Sequence, residues 1–528
     1  MTAAGATGAG PPGTWRLLAP ALLGWALTAG AITSPGAGAR MAWAAAICGA
    51  AVGLGAVIAG AARGRAVSTT VVATAGPGEP QEPPRPPRKR AMTGIVLIVC
   101  AVPVLLGARI AVGEHARSDP VLVVAAERGG SIAFEVRLTG FPKTRLSEFG
   151  ERSWVRAAAE TPRGRVPVLL WLDERPGRDW SPGTGLAVRG VPEFFAPEDQ
   201  AAFGIRVLDI EPLVDEARGL DGRGFGALAA DLRRGLHEAA GSVPGAELVP
   251  GFAVGDTALV DERLDRAMLE SSLTHLTAVS GANCALVTGA MLWLMSRLGA
   301  GRRLRLLSAG VALMLFVGLI GPDASVQRAA VMAAVVLASG FGGRRAVALP
   351  ALGLAVLVLL ALDPWQSLQP GFALSVTATG GILLAAGPLA NWLRRRARIP
   401  AFLALPVAVA LAAQLACGPL ILMLQAGIPA VGVLANVLAA PAAPLGTGLG
   451  LLSALLLPLS PVLGEAALLL ASLPARWVAA VAHTSAALPL ARWHWPEGWP
   501  GALLLAGCEA GLLIAWALHR GHLGLPAG

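Results

Sequence analysis

The chain has 528 residues, of which 55% are hydrophobic and 14% charged, and its mean hydropathy is +0.63. That composition excludes an ordinary water-soluble enzyme and describes a polytopic α-helical membrane protein. The formal net charge of +9 does not by itself point to nucleic acid, because much of it sits in short loops, where basic residues set orientation.

Residues 15–33 and 41–62 are apolar runs long enough to cross a bilayer, which takes about 20 helical residues. A second run follows the first at once and only Arg16 leads it, so the first reads as an uncleaved anchor rather than a signal peptide. A Pro/Gly-rich linker at about 63–91, ending PPRPPRKR, is too polar and proline-rich to pack, and reads as disordered and cytoplasmic. A third span at 92–112 completes an amino-terminal unit of three transmembrane helices over 1–113.

Residues 119–216 change character. Period-two runs at 121–127, 131–138, 166–172, 186–191 and 205–213, separated by Gly/Pro turns, predict five strands and a small all-β, OB-like barrel. Its first half is basic, with Arg137, Lys143, Arg145 and Arg152 as candidate DNA contacts, and its second half is acidic. Phe134, Phe141, Trp154, Trp171 and Trp180 are available either to stack bases or to fill the barrel. In the approach segment 217–268, Phe225, Leu228, Leu232 and Leu236 have the spacing of an amphipathic interfacial helix.

From 269 to 528 apolar runs follow closely, several short or broken by Pro and Gly. The total of about twelve or thirteen therefore includes re-entrant or broken helices. Basic clusters at Arg302, Arg303 and Arg305, at Arg344 and Arg345, and at Arg394 to Arg396 with Arg398 recur after every second run. The early linker and Arg520 continue the pattern. One orientation satisfies them all: both termini cytoplasmic, barrel extracytoplasmic. The loops at 321–328 and 363–371 and the start of the span at His275 then meet on the outer side as one mouth.

The core opens with LESSLTHLTAVSGANCALVTGAMLWLMSRL at 269–298. Thr277, Ser280 and Asn283 recur every third residue, near one helix face, with His275 half a turn before them and Gly281 open to a close backbone. Such side chains either bond to neighbouring helices or line a polar path. GPDASVQRAAVMA (321–333) sets Asp323, Gln327 and Arg328 at the outer end of a span. Arg328 suits bidentate phosphate contact, and equally an ion pair with Asp323 or the outer headgroups. DPWQSLQPGFALSVTATGG (363–381) carries Gly371, Ser375 and Thr379 four apart, a stripe fit for close packing or for a hydrated lining. Gln414 with Pro419, and Asn436 with Pro441 and Pro444, add polar and helix-breaking positions.

Soluble-type chemistry finds little support. The seven histidines have no metal-ligand spacing, no Walker loop is present, and the five cysteines all lie in apolar runs without CxxC pairing. No metal, cofactor or enzymatic activity is expected.

HLTAVSGAN at 275–283, the arginine of 321–333 followed by small residues, the Asp-Pro loop leading into GFALS, and the Gln414 and Asn436 segments resemble, in order, the signatures of the bacterial competence channel family (ComEC). The resemblance covers about 119–444; Gln369 and Pro370 stand where that family more usually has an acidic residue. It implies an inner-membrane channel that carries single-stranded DNA into the cytoplasm during natural transformation. The implied partners are single-stranded DNA, the lipid bilayer, a competence DNA receptor and a cytoplasmic ATP-driven helicase or translocase. Many relatives add a carboxyl-terminal metallo-β-lactamase-like domain, whereas this sequence stops at Gly528 after its last span, which leaves room for a separate nuclease. On this reading Arg328 guides phosphates, and Thr277, Ser280 and Asn283 are polar lining. His275, Gln327, Ser375, Gln414 and Asn436 share the path, and Gly281 and Gly371 are close-packing sites. The alternative is a transporter of another anionic envelope substrate, a lipid or cell-wall precursor, on the same fold. A hydrolase using Ser280 and His275 fits worse, because five residues separate them and Ser280 lacks a GxSxG elbow.

Overall fold

A computed structural model of the protein describes residues 17–34, 36–45, 88–147, 150–173, 176–177, 180–213, 224–277, 281–321, 324–341, 348–489 and 491–522. Most of the expected linker, Ser280, Asp323, Arg344 and Arg345 lie outside them, and Arg88–Arg90 of that linker's end are already helical.

The amino-terminal unit contributes α1 (Leu18–Ile32), a helical stretch at 37–45 and the long α2 (Arg88–Arg117). Next comes α3 (Pro120–Arg128), where period-two hydrophobicity predicts a strand at 121–127. Its caps decide for the helix: Asp119 accepts a hydrogen bond from the Val121 N–H, Pro120 occupies the first turn, and Gly129 closes it at φ 61°.

The barrel follows as β1 (Ile132–Leu138), β2 (Lys143–Ser147), β3 (Gly150–Thr161), β4 (Gly164–Leu172), β5 (Gly185–Phe194) and β6 (Phe203–Pro212). The sheet runs β1-β5-β6-β4-β3-β2, and β1 also pairs with β3, so five strands close a ring and β2 extends it as a hairpin arm. The β4–β6 pair is parallel and every other pair antiparallel. Val136, Val155, Val168, Leu170, Leu186 and Ile205 fill the interior. Of the strands, β2 and β3 escape the sequence pattern. The inward side of β3 is Ser153, Val155, Ala157 and Ala159, which alternates correctly but carries little hydrophobic contrast.

The bundle comprises α4 (Phe225–Ser242), α5 (Val249–Val254), α6 (Glu262–Glu270), α7 (Gly281–Arg297), α8 (Arg302–Ile320), α9 (Ala324–Phe341), α10 (Ala348–Leu362), α11 (Pro370–Arg395), α12 (Ala401–Leu422), α13 (Gly432–Ala439), α14 (Ala442–Leu456), α15 (Pro461–Ala486) and α16 (Gly498–His522). Five helical stretches among the described residues are long and apolar enough to cross a membrane, or six if the bent pair α13–α14 is one span. Others, such as α1 and α10, are apolar but shorter, so the apolar runs of the sequence exceed the full-length helices. The apolar run at 431–447 predicts one helix across Pro441; instead the α13–α14 pair bends by 47° at Ala440–Pro441, where the proline removes a backbone N–H and crowds the preceding turn.

The largest core joins α4–α6 to α13–α15 around Phe252, Leu236, Leu248 and Leu468. The short α5 is buried at every position. It lies in a notch of α14: a Cβ at Gly446 would stand 2.7 Å from the Phe252 ring, and one at Gly450 2.9 Å from Val249.

Candidate functional site

After α6 the chain turns through Ser272, a non-glycine residue at φ 58°, into a 3-10 turn, Thr274–Leu276. The Ser272 carbonyl accepts a hydrogen bond from Asn436 Nδ2 at 3.3 Å and lies 3.0 Å from His275 Nδ1. Asn436 Nδ2 also donates to the Gly432 carbonyl at 2.8 Å. Gln414 Nε2 donates to the Pro429 carbonyl at 3.0 Å, and Gly432 owes its lack of a side chain to crowding by Gln414 Oε1 and Ser272. His275, Gln414 and Asn436, spread over three sequence segments, thus converge on Ser272 and Gly432. Polar groups carried into an apolar bundle need such partners, and here they hold backbone carbonyls at irregular turns. Ser272 and Gly432 were not foreseen, since neither carries a sequence signal of its own.

Of the stripe Thr277, Ser280 and Asn283, Ser280 lies outside the described residues. Thr277 donates to the Thr274 carbonyl at 2.9 Å, and Asn283 lies in α7. Asn283 is buried and its Nδ2 reaches the Phe252 carbonyl at 3.4 Å. Thr277 stands over Gly251, where a Cβ would be 3.2 Å away. Both side chains therefore face α5. Gly281 packs near Ala329 of α9, at an ordinary 3.6 Å for an added Cβ.

Arg328, in the first turns of α9, is only 6% exposed. Its Nε and Nη1 are buried without a hydrogen-bond partner among the described residues. A guanidinium stays charged in an apolar setting, and leaving one unpaired there costs several kcal/mol. Its neighbour Gln327 accepts from Gln366 Nε2 at 3.1 Å, while Gln366 Oε1 and Ser367 Oγ are also buried and unpartnered among the described residues.

On α11 the stripe of Gly371, Ser375 and Thr379 is not the packing face. A Cβ at Gly371 would meet nothing within 4 Å, and Thr379 donates to the Ser375 carbonyl of its own helix at 2.9 Å. The α12 contact uses the next face: Cys417 Sγ donates to the Leu374 carbonyl at 3.4 Å, and Gly381 sits against Ala416.

Two attachments of the barrel bear on the candidate site. Asp363, N-cap of the 3-10 turn Pro364–Leu368, accepts from Gln200 Nε2 of the β5–β6 loop at 2.6 Å, and Trp365 Nε1 donates to the Pro197 carbonyl at 3.0 Å. Arg117, at the end of α2, lies 3.9 Å over the Trp365 ring and donates to the carbonyls of Asp199 and Gln200. Burial draws its pKa down to about 10 against the pull of Asp363 and Asp199, so it stays charged at neutral pH. At the second point Phe141 meets Gly321 and the Arg233 guanidinium, and Arg233 donates to the Leu319 and Ile320 carbonyls at the end of α8.

Of the expected basic contacts of the barrel, Arg137 is held by Glu160 at 3.0 Å, while Lys143 and Arg152 are exposed on the β2–β3 arm and the register sets Arg145 opposite Arg152. Among the described residues no three His, Cys, Asp or Glu side chains gather where they would hold a metal ion.

Comparison with known proteins places these observations. ComE operon protein 3 of Bacillus subtilis (strain 168) is 31% identical over 138 residues, which are 26% of this chain and 18% of that relative. The match thus spans about a fifth of the relative's length. No solved structure matches. The family model described as "Competence protein" matches residues 252–520, half of the chain, and those residues contain His275, Arg328, Gln414 and Asn436. The chain belongs to the competence protein family.

Proposed function

We propose that this protein is the inner-membrane channel through which single-stranded DNA reaches the cytoplasm during natural transformation. The observation that carries the reading is Arg328: the fold buries a permanent cation at one end of α9 and gives it no acceptor among the described residues, which suits a transient anionic guest. The exposed Gly371, the half-buried Ser375 and Thr379 of the same stripe, and the turn at Ser272 supply polar surface for a path behind it. Family membership and the likeness to a protein named for the ComE operon support the same substrate.

The topology that fits has both termini cytoplasmic and the barrel outside. Short connections make α7–α12 alternate in direction, so Arg302–Arg305 and Arg394–Arg398 fall at the end opposite the barrel's attachments at Gly321 and Asp363. Basic residues favour the cytoplasmic side. The partners that go with this reading are a DNA receptor outside, an ATP-driven helicase or translocase inside, and a separate nuclease.

The test is uptake of end-labelled DNA into a nuclease-protected state in cells with the gene deleted and complemented. Arg328→Ala lowers protected DNA about 10- to 100-fold at unchanged protein level, the scale of a lost charge-assisted contact. Arg328→Lys keeps the charge without the fork and falls between. Equal protection in the deletion strain under competent conditions would sink the reading in favour of an envelope substrate.

A further inference from the structure

The barrel carries a row of side chains for which the channel has no use. Cross-strand register fixes it: Lys143 of β2 lies opposite Trp154 of β3, Trp154 opposite Trp171 of β4, and Trp171 opposite Arg206 of β6. Directly opposed residues on neighbouring strands share a face. One step along, Val155, Leu170, Leu172, Ile205 and Val207 point into the barrel core, so the row lies on the outer surface. Trp171 is 38% exposed, Trp154 is half-buried, and Lys143 and Arg206 are exposed. The two indoles stand 6.1 Å apart with planes tilted by 48°.

The other three aromatics weighed from the sequence have structural occupations. Phe134 and Trp180 pack against the barrel core, and Phe141 belongs to the bundle core. Trp154 and Trp171 have neither duty. The choice between stacking and filling, open from composition, therefore divides by residue.

We propose that this row is a stacking platform for single-stranded nucleic acid, with the indoles taking bases and Lys143 and Arg206 taking backbone phosphates at its two ends. The proposal rests on the DNA-uptake reading and names where the strand is first held. Base–aromatic stacking tolerates any sequence because every base offers a π-face, and cations along the same groove follow the phosphates. A neutral glycan would use the indoles but not the charge of the exposed Arg206. The platform also lies between those two attachments of the barrel. Phe141, two residues before Lys143, sits at Gly321, just before α9 and Arg328, and the loop of Phe195 and Pro197 touches both Gly204, beneath Trp171, and Trp365. A strand held here is delivered to the outer ends of α9 and α11.

The test uses the full-length protein in phosphatidylcholine nanodiscs and fluorescence anisotropy of a labelled oligothymidine. Trp154→Ala with Trp171→Ala weakens binding about tenfold or more. Trp154→Phe with Trp171→Phe, which keeps two aromatic faces, recovers most of it. Arg206→Ala reduces the slope of log affinity against log salt by about 0.7, the signature of one lost phosphate contact on a single strand. Circular dichroism and elution volume report folding for each variant. Unchanged affinity in the double alanine variant, while Arg328→Ala still blocks uptake, overturns the platform and spares the channel. Binding of cell-wall glycan strands in place of oligothymidine overturns the platform as a nucleic-acid site. Absence of oligothymidine binding by the wild type, with normal uptake in the deletion strain, overturns both.

Discussion

Ser272 holds the candidate site in place from a conformation few residues adopt. Its φ of 58° is left-handed, where small polar residues are tolerated and β-branched ones are not. Ser272→Asn should therefore leave stability within about 0.5 kcal/mol, while Ser272→Val costs about 1–2 kcal/mol, read from denaturation midpoints in detergent. Asn436→Ala removes a bond to the same carbonyl, worth about 1 kcal/mol, and the double variant should be non-additive because both act on one turn. A second residue-level device lies outside the spans, where His237 Nδ1 meets Asp256 Oδ2 at 2.9 Å. The hydrogen bond to Asp256 raises His237 above its ordinary 6.5, against the effect of burial. Burial alone would raise Asp256, but the bond and charge of His237 hold it below its ordinary 3.8. The His237 contribution is thus complete below pH 6.5 and fades as pH climbs through the raised value. The Asp256 contribution is present above 3.8 and fades as pH falls through the lowered one. Thermal melting should weaken as pH climbs above 6.5, and Asp256→Asn should flatten that dependence; a wild-type profile flat over this climb would show that the pair adds nothing.

At the scale of elements, the notch that receives α5 is the most constrained contact in the bundle. Gly446→Val would drive a branched side chain into the Phe252 ring, and overpacking of this kind costs about 1–3 kcal/mol. Phe252→Ala, which empties a fully buried site, costs about 3–5 kcal/mol. Combining the two relieves the clash, so the double variant should melt above the sum of the single losses; strict additivity would mean that ring and glycine do not meet. The same elements mark how far the sequence could be read. Wherever a buried face repeats with strong contrast, as in β4, β5 and α4, periodicity finds the element. It fails at 121–127, where Asp119, Pro120 and Gly129 cap a helix that looks alternating, and at β3, whose inner alanines are hydrophobically mute. It also merges α13 with the start of α14, because apolar content continues across Pro441 although the helix axis does not. Among site residues the polar words were legible as words. Their geometry was not, since His275, Gln414 and Asn436 meet only through backbone carbonyls at turns that carry no word of their own.

For the whole molecule the decisive contact joins residues 163 positions apart, Gln200 and Asp363, and no local pattern announces it. Asp363 caps its own turn through the Trp365 N–H and at the same time takes the barrel's amide, so one carboxylate shapes the bundle turn and fastens the barrel to it. Arg117 completes the joint from α2 by covering Trp365 and bonding the loop backbone, which links the amino-terminal helices to the same point. If a strand passes from the barrel to the outer ends of α9 and α11, this joint sets the distance between platform and mouth. Loosening it should then separate capture from transfer. Gln200→Ala removes only the barrel's half, leaving the Asp363 cap intact, and a hydrogen bond to a charged group is worth about 1.5–3 kcal/mol. The expected phenotype is faster amide exchange across 195–202, unchanged oligothymidine affinity and reduced protected DNA in cells. Asp363→Asn keeps one acceptor oxygen for the cap but sets an amide nitrogen against the Gln200 donor, and should show the same pattern. Unchanged exchange in the loop with full uptake would mean that Arg117, Trp365 and Phe141 hold the barrel in register without the Gln200 amide.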